Sequence, residues 1–152
     1  MALNGRHYFS YGTQAVASPT DTAWSNSGAT TVRPCIYDIL FSCQATPADN
    51  SIQWDIQRCT AQGTATAFTP IALDHADPAS LSATNSDHTI EPTYTAAALV
   101  FHMALNQRAT HRWIADPNGP IVTPATASNG VGIAPVHASF TGVTDVMVHY
   151  YE

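Results

Sequence analysis

Seven histidines are the side chains of this chain best suited to hold a metal, and their spacing predicts no metal centre. They are His7, His75, His88, His102, His111, His137 and His149. No pair forms an H-x-H or H-E-x-x-H pattern, and no histidine stands at ligand spacing from a cysteine. His102 and His111 could meet across a predicted hairpin, but two histidines without a nearby carboxylate make a poor site. We therefore predict neither a metal nor a cofactor.

The residues that could act as nucleophiles or as paired acids also lack the spacing that catalysis needs. The sequence contains no G-x-S-x-G element, which marks a serine nucleophile on a strand-to-helix turn. Glycoside hydrolysis needs two carboxylates facing each other across a cleft. The available acids lie in a loop-like stretch beside prolines: Asp74, Asp77, Asp87 and Glu91. We predict that the protein is not an enzyme. A metal or glycosidic enzyme would require His102 and His111, or two of these acids, to converge in a pocket.

Three cysteines, Cys35, Cys43 and Cys59, form no C-x-x-C pair and are odd in number. This pattern favours neither a disulfide framework nor a metal site. Cys35 and Cys43 share strand parity with Tyr37, so we expect all three to face the core.

Three tryptophans raise a carbohydrate-binding alternative, because sugars stack on exposed aromatic rings. Trp54 and Trp113 lie on strand faces with apolar neighbours, which favours a place in the core. Trp24 stands alone among polar residues, so it could be exposed or could dock on a neighbour. A cluster without clear periodicity precedes it: Tyr8, Phe9 and Tyr11.

The stretch Tyr94–Asp116 is the element around which we expect the other strands to be arranged. Large apolar side chains alternate with small ones up to Leu105, which is a period-2 pattern. We predict a strand from about Thr93 to Leu105, central in its sheet and buried on both faces. After the polar tip Asn106-Gln107-Arg108, a second strand over Ala109–Ala115 completes a hairpin.

The remaining strands predict an all-β fold. Strands over Cys35–Cys43 and Ile52–Cys59 are joined by a hairpin connection, and Ile52, Trp54 and Ile56 share one core-facing side. Pro70–Pro92 has the composition of a long surface connection. Two final strands are predicted over Val136–Phe140 and Thr144–Tyr151. Eight to nine strands with regular turn signals are typical of an antiparallel β-sandwich or jelly roll.

The chain divides into an arm and one domain in this interpretation. Residues 1–34 are predicted to be an irregular N-terminal arm that carries the aromatic cluster and Trp24. Residues 35–152 are predicted to form the single β-sandwich domain. Exposed aromatic residues on a free arm need a surface to cover them. We therefore expect the arm to dock on a neighbouring subunit or on a larger shell; the alternative is that it folds back as an edge strand of its own sandwich.

Composition indicates a protein that works in an assembly. Charged residues make up 11% of the chain, against about 25% in average proteins. All five basic residues are arginine and none is lysine, and lysine is the residue that interfaces avoid. The net charge of −6 without a basic patch disfavours nucleic-acid binding. Neither an apolar run of about 20 residues nor a signal peptide is evident, so we expect no membrane partner and synthesis in a cytosol.

Two stretches carry a resemblance to a known family. They are PADNSIQWDIQRCTAQGTATAFTPIALD (47–74) and LNQRATHRWIADP (105–117), together with PATASNG (124–130). These motifs resemble a family of small β proteins of tailed bacteriophages, which includes capsid cement or decoration proteins built on a trimeric jelly roll. They cover about a third of the chain, exclude the segment before residue 35 and carry no catalytic signature.

The resemblance implies a structural virion protein made in the host bacterial cytoplasm. It would be a homotrimer on the capsid surface, reinforcing contacts between copies of the major capsid protein. Arg108 could bond carbonyls or carboxylates of its own or a neighbouring chain. The predicted interface residues are Tyr8, Phe9, Tyr11, Trp24, Asn106, Gln107 and Arg108. The alternative is a glycan-binding head-fibre or tail module of the same fold class, which an exposed Trp24 would favour.

Overall fold

Two antiparallel β-sheets face each other in the computed structural model, which describes residues 5–16, 21–136, 140 and 142–152. Its strands are β1 (His7–Val16), β2 (Trp24–Ser27), β3 (Cys35–Gln44), β4 (Ser51–Ala61), β5 (Thr64–Phe68), β6 (Ile71–Ala72), β7 (Ala83–Ile90), β8 (Thr93–Asn106), β9 (His111–Ile114), β10 (Ile121–Val122), β11 (Gly130–Val136) and β12 (Gly142–Tyr151). The predicted all-β antiparallel sandwich is confirmed. The predicted number of eight to nine strands is wrong, because strands as short as β6 and β10 leave no periodic signature.

Each sheet draws its strands from distant parts of the chain. The first sheet has the order β10-β3-β12-β1-β6, and β9 also pairs with β3. The second has the order β5-β7-β2-β11-β4-β8. No helical segment of membrane-spanning length and hydrophobicity occurs among the described residues.

The core lies between the two sheets and follows the alternation of inward side chains. Ile52, Trp54 and Ile56 of β4 are buried, which confirms the predicted face. The Trp54 ring packs 5.2 Å from that of Phe41 on the opposite sheet. At Gly12 the sheets approach so closely that a Cβ would lie 2.1 Å from the Ala23 carbonyl oxygen. Only glycine permits that approach.

The described part of the N-terminal segment is not an irregular arm, because it contains β1 and β2. Strand β1 lies between β12 and β6, and its residues pair with β12 from His7 to Val16. Sequence reasoning missed this strand because three of its buried or close-packed positions are Ser10, Gly12 and Gln14. Those small or polar residues hide the period-2 apolar pattern.

Strand β8 is not central. It is the last strand of its sheet and, among the described strands, pairs only with β4, so the prediction of burial on both faces is wrong. The two predicted hairpins, one of β3 with β4 and one of β8 with β9, are also wrong. β3 and β4 belong to different sheets, as do β8 and β9, so both connections cross between the sheets. Apolar content predicted burial but not which strands would be neighbours.

Two further segments differ from expectation. The predicted surface connection Pro70–Pro92 contains β6 and β7, and β7 buries Thr84 and His88 against the core. Those inward positions are polar, so apolar periodicity could not reveal the strand. Within the predicted strand Val136–Phe140, residues 137–139 lie outside the described ranges.

A β-bulge changes the orientation expected for β3. Ile36 pairs with Tyr150 and Asp38 pairs with His149, so Tyr37 is the extra residue between them. A bulge of this kind re-aims a side chain. Tyr37 therefore does not face the core as predicted. Cys35 pairs with Tyr151 on the outer face, so the prediction that Cys35 faces the core is wrong. Cys43 packs against the core, as predicted.

Candidate functional site

Two of the predicted interface aromatics belong to the protein's own core. Tyr8 and Trp24 each have 0% exposed surface. The Tyr8 hydroxyl donates to the Pro78 carbonyl at 3.1 Å, and the Trp24 indole donates to Ser10 Oγ at 2.9 Å. Their assignment to an interface is therefore wrong, because every polar and apolar part of each side chain is already engaged.

Phe9 and Tyr11 lie on the outer face of the first sheet. Tyr11 is 46% exposed, and its ring packs 4.6 Å from that of Phe68. Phe9 is half-buried beside the same ring. Both residues are accessible to a partner, and their role in an interface stays a prediction.

The polar tip Asn106-Gln107-Arg108 holds the end of β8 against the connection between β3 and β4. The Asn106 amide donates to Asp49 Oδ1 at 2.7 Å, and Gln107 Oε1 accepts from the Ala48 amide at 2.9 Å. Arg108 Nε donates to the Pro47 carbonyl at 3.2 Å. Gln107 is buried, whereas Asn106 and Arg108 are exposed, so only these two remain open to a partner.

Strand β8 carries exposed and half-buried apolar side chains along one stretch. Leu99 is 43% exposed and Val100 is 38% exposed. Phe101, Met103 and Leu105 point inward but stay half-buried, because β8 lies at the margin of the sandwich. We call these five residues the β8 edge surface. The Phe101 ring is its most fixed member, 5.5 Å from Phe41 and 6.0 Å from Trp113.

The second half of β8 is regular enough to pair with another strand. Register shifts at Val100, between the pairs Ile56–Phe101 and Gln57–Leu99, and again in the part of β8 that contains Ala97, whose φ is 56°. From Phe101 opposite Ile56 to Asn106 opposite Ser51 the pairing is continuous. An edge strand presents a row of unpaired backbone donors and acceptors, which lysine, proline or a bulge normally protects. Residues 101–106 contain neither lysine nor proline, and their pairing with β4 has no bulge.

The histidines do not assemble a metal site in the described ranges, where no group of three or more His, Cys, Asp or Glu side chains could hold a metal ion. His102 Nδ1 lies 2.8 Å from Asp55 Oδ1 on the exposed face of β8 and β4. His111 lies in the other sheet, beside Phe41. His137 lies outside the described residues.

Asp38 joins three strands of the first sheet through its carboxylate. Arg112 of β9 donates to both oxygens, at 2.8 and 2.7 Å, and His149 Nδ1 of β12 lies 2.9 Å from Oδ2. The hydrogen bonds from Arg112 hold the pKa of Asp38 below its usual range. A carboxylate–histidine pair is part of many catalytic triads, but here the arginine engages the carboxylate as well. We interpret the cluster as a clamp between strands.

A buried polar cluster replaces apolar packing beside β2. His88 Nδ1 donates to the Thr22 carbonyl at 3.0 Å, which leaves its Nε2 to accept from Ser25 Oγ at 3.0 Å. The Thr22 amide donates to Glu91 at 2.9 Å, and Thr22 Oγ1 bonds both Glu91 and Tyr94. Burial lowers the pKa of His88 and raises the pKa of Glu91. The cluster has no open access to solvent at His88, so we assign it a structural role.

We expect His88 to make the protein less stable in mild acid. Its folded-state pKa lies below the ordinary value of 6.5, so the unfolded chain binds the proton more readily. Stability is full above pH 6.5 and falls as the pH drops towards the folded-state pKa, by at most about 1.4 kcal/mol per pH unit. Glu91 opposes this loss of stability at lower pH, because its raised pKa lets the folded state bind a proton more readily than the unfolded chain does.

Thermal unfolding from about pH 7.5 to about pH 5.5 measures this effect. The His88→Gln variant should lose most of the decline between the two ends of that range. His75→Gln, at an exposed position, is the matched control and should keep it. An equal decline in His88→Gln would assign the acid sensitivity to other groups.

Comparisons with protein-family models, curated proteins and solved structures each return no match to this chain. The resemblance to phage decoration proteins therefore depends on the sequence motifs alone.

Proposed function

We propose that the protein is a structural virion protein of the capsid cement or decoration type. It assembles as a homotrimer on the outer surface of a phage head and stabilises contacts between major capsid proteins. The observation that carries the proposal is the β8 edge surface, an apolar strand edge that is regular from Phe101 to Asn106 and has no lysine or proline to protect it there. The family resemblance supplies the capsid context.

An unprotected edge of this kind is a liability for a protein that remains alone. Its free backbone groups can pair with a strand from another chain, and its apolar side chains favour the same contact. In an assembly the edge is covered, and the liability becomes a source of binding energy. A closed trimer would cover one such edge per subunit and would match a three-fold axis of a shell.

The surface composition supports the same proposal. The chain has no lysine and few charges, so little electrostatic repulsion and little side-chain entropy oppose close contact with other subunits. Phe9 and Tyr11 offer a second accessible apolar surface on the first sheet. Aromatic side chains are enriched among the residues that dominate interface energetics.

Purified virions test the capsid assignment directly. We expect the protein to co-purify with intact heads of the phage that encodes it, in a copy number that is a fixed multiple of the capsid lattice. Dissociation by denaturant should release it before the major capsid protein. Its absence from washed virions would refute the capsid role.

Self-association is tested by placing lysine on the β8 edge. The Val100→Lys/Ala104→Lys variant should raise the trimer dissociation constant by about tenfold or more, because two charges must then be desolvated or repelled at the contact. Leu81→Lys/Ile90→Lys is the matched control, since Leu81 and Ile90 are exposed and lie outside β8. Native mass measurement at micromolar concentration reports the oligomer. A monomeric parent protein, or equal weakening in both variants, would contradict a β8 interface.

A further inference from the structure

A cleft lies at the end of the sandwich where strands β4 and β10 end and β11 begins. Its volume is about 380 Å³, within the usual range for small-molecule sites. Two of the chain's five arginines line it, Arg33 and Arg58, and none of the described acidic residues does. Its other polar side chains include Thr60, Thr95 and Asn129. The cleft therefore concentrates positive charge in a chain whose net charge is −6.

Arg58 is held in this cleft by the opposite sheet. It lies in β4, and its Nη1 donates to the carbonyl of Val122 in β10 at 3.0 Å. Because β4 and β10 belong to different sheets, this bond fixes the guanidinium between them. Its Nε and Nη2 have no hydrogen-bond partner among the described residues, so these donors remain available to a ligand.

Arg33 lines the same cleft from the connection that leads into β3. It is exposed, and within the described part of the chain its guanidinium forms neither a hydrogen bond nor an ion pair. Arg6 and Arg112, by contrast, are each paired with an aspartate. Two guanidinium charges without a carboxylate repel each other, and an anion bound between them would relieve that repulsion.

We propose that this cleft binds the phosphate group of a phosphomonoester. Such a group carries a charge of about −1.5 to −2 at neutral pH, which balances the two unpaired arginines. Its oxygens can accept from both guanidinium groups, from the Thr95 hydroxyl and from the Asn129 side-chain amide. A carboxylate carries a single charge, and one guanidinium fork is enough to satisfy both of its oxygens. The presence of two unpaired arginines therefore favours a phosphate.

The lining of the cleft disfavours ligands that bind by stacking. No aromatic ring is found among the described residues that line it, so neither a nucleobase nor the face of a sugar has a surface to pack on. Trp24, whose exposure would have favoured glycan binding, is fully buried. The rest of the ligand beyond its phosphate therefore contributes little, and simple phosphomonoesters should bind with similar affinities.

Titration of the full chain with inorganic phosphate and with glycerol phosphate at constant ionic strength, followed by amide NMR, tests the proposal. We expect saturable shifts at Arg33, Thr60 and Gly130, at dissociation constants of about 1 mM. Acetate should bind about tenfold more weakly. Sedimentation with phosphatidylcholine vesicles that contain phosphatidic acid identifies the source of the group. Binding to those vesicles would assign the phosphate to a lipid headgroup, and its absence would assign the phosphate to a soluble compound.

Three matched variants locate the site, since each removes one positive charge. Arg33→Gln should raise the dissociation constant for phosphate by about tenfold. It should fold like the parent, because the Arg33 guanidinium has no partner within the described residues. Arg58→Gln should weaken binding to a similar extent, and it covers the case in which Arg33→Gln fails to fold. Arg6→Gln, outside the cleft, is the control and should bind phosphate as the parent does.

Three results would each overturn the proposal. They are the absence of any saturable shift with phosphate, equal affinities for acetate and phosphate, and equal weakening in Arg33→Gln and Arg6→Gln. The trimer and virion tests do not involve this cleft and are decided separately.

Discussion

A chain that lacks residues 1–20 should fail to form the two-sheet sandwich. Strand β1 is an interior strand of the first sheet, so its loss removes the neighbour of β12 along its whole length. It also removes Tyr8, whose ring stacks 5.6 Å from Tyr150 in the core. Ser10 is lost as well, which leaves the buried Trp24 indole without its acceptor. No domain of marginal stability can absorb the loss of a central strand.

Circular dichroism in the near and far ultraviolet, with thermal unfolding, measures this outcome. The control is a chain that lacks only residues 1–4, in which β1 remains complete. A truncated chain that lacks residues 1–20 but unfolds cooperatively near the parent temperature would mean that β1 is dispensable. That result would restore the docking arm that the sequence suggested.

Trp24→Ala and Tyr11→Ala should have very different effects, although sequence reasoning placed both residues in one interface. Trp24 is fully buried, so its removal leaves a cavity and should lower the free energy of unfolding by about 3–5 kcal/mol. Tyr11 is 46% exposed, and its ring packs against that of Phe68 in a T-shaped arrangement. Its removal should cost no more than about 1.5 kcal/mol.

Denaturant unfolding of both variants measures the two losses in the free energy of unfolding. The slope of that free energy against denaturant concentration should be unchanged. Trp24→Phe separates packing from the hydrogen bond to Ser10, because it keeps a buried ring but loses the indole donor. Equal and small losses in both alanine variants would show that Trp24 contributes no more to the core than a surface aromatic.

The polar residues between the sheets explain why part of the core was invisible in the sequence. Ser10 Oγ bonds Thr84 Oγ1 at 3.0 Å, and the His88 amide donates to Gln14 Oε1 at 2.8 Å. These contacts satisfy buried groups across the sandwich. Each residue alone resembles a surface residue, because sequence patterns show polarity but not the partner that makes burial tolerable.

Strand β8 shows the converse case. Its apolar alternation was detected and its extent is close to that predicted, Thr93–Asn106 against Thr93–Leu105. Its burial was predicted wrongly because an apolar strand can be buried by another chain as well as by its own. Hydrophobicity alone does not distinguish the two cases. The proposed assembly would supply the cover from another subunit.

The sequence by itself determined the fold class and the existence of strands β3, β4, β8 and β12. It also determined which face of β4 points to the core, the face with Ile52, Trp54 and Ile56. These features depend on local periodicity, which neighbouring residues encode directly. Only the tertiary structure decided that β1 is interior and β8 is an edge. It alone brought Arg33 and Arg58 into one cleft, because β3 and β4 belong to different sheets that face each other. Strand order and register arise from non-local pairing, and a one-residue change of register reverses which face every side chain occupies.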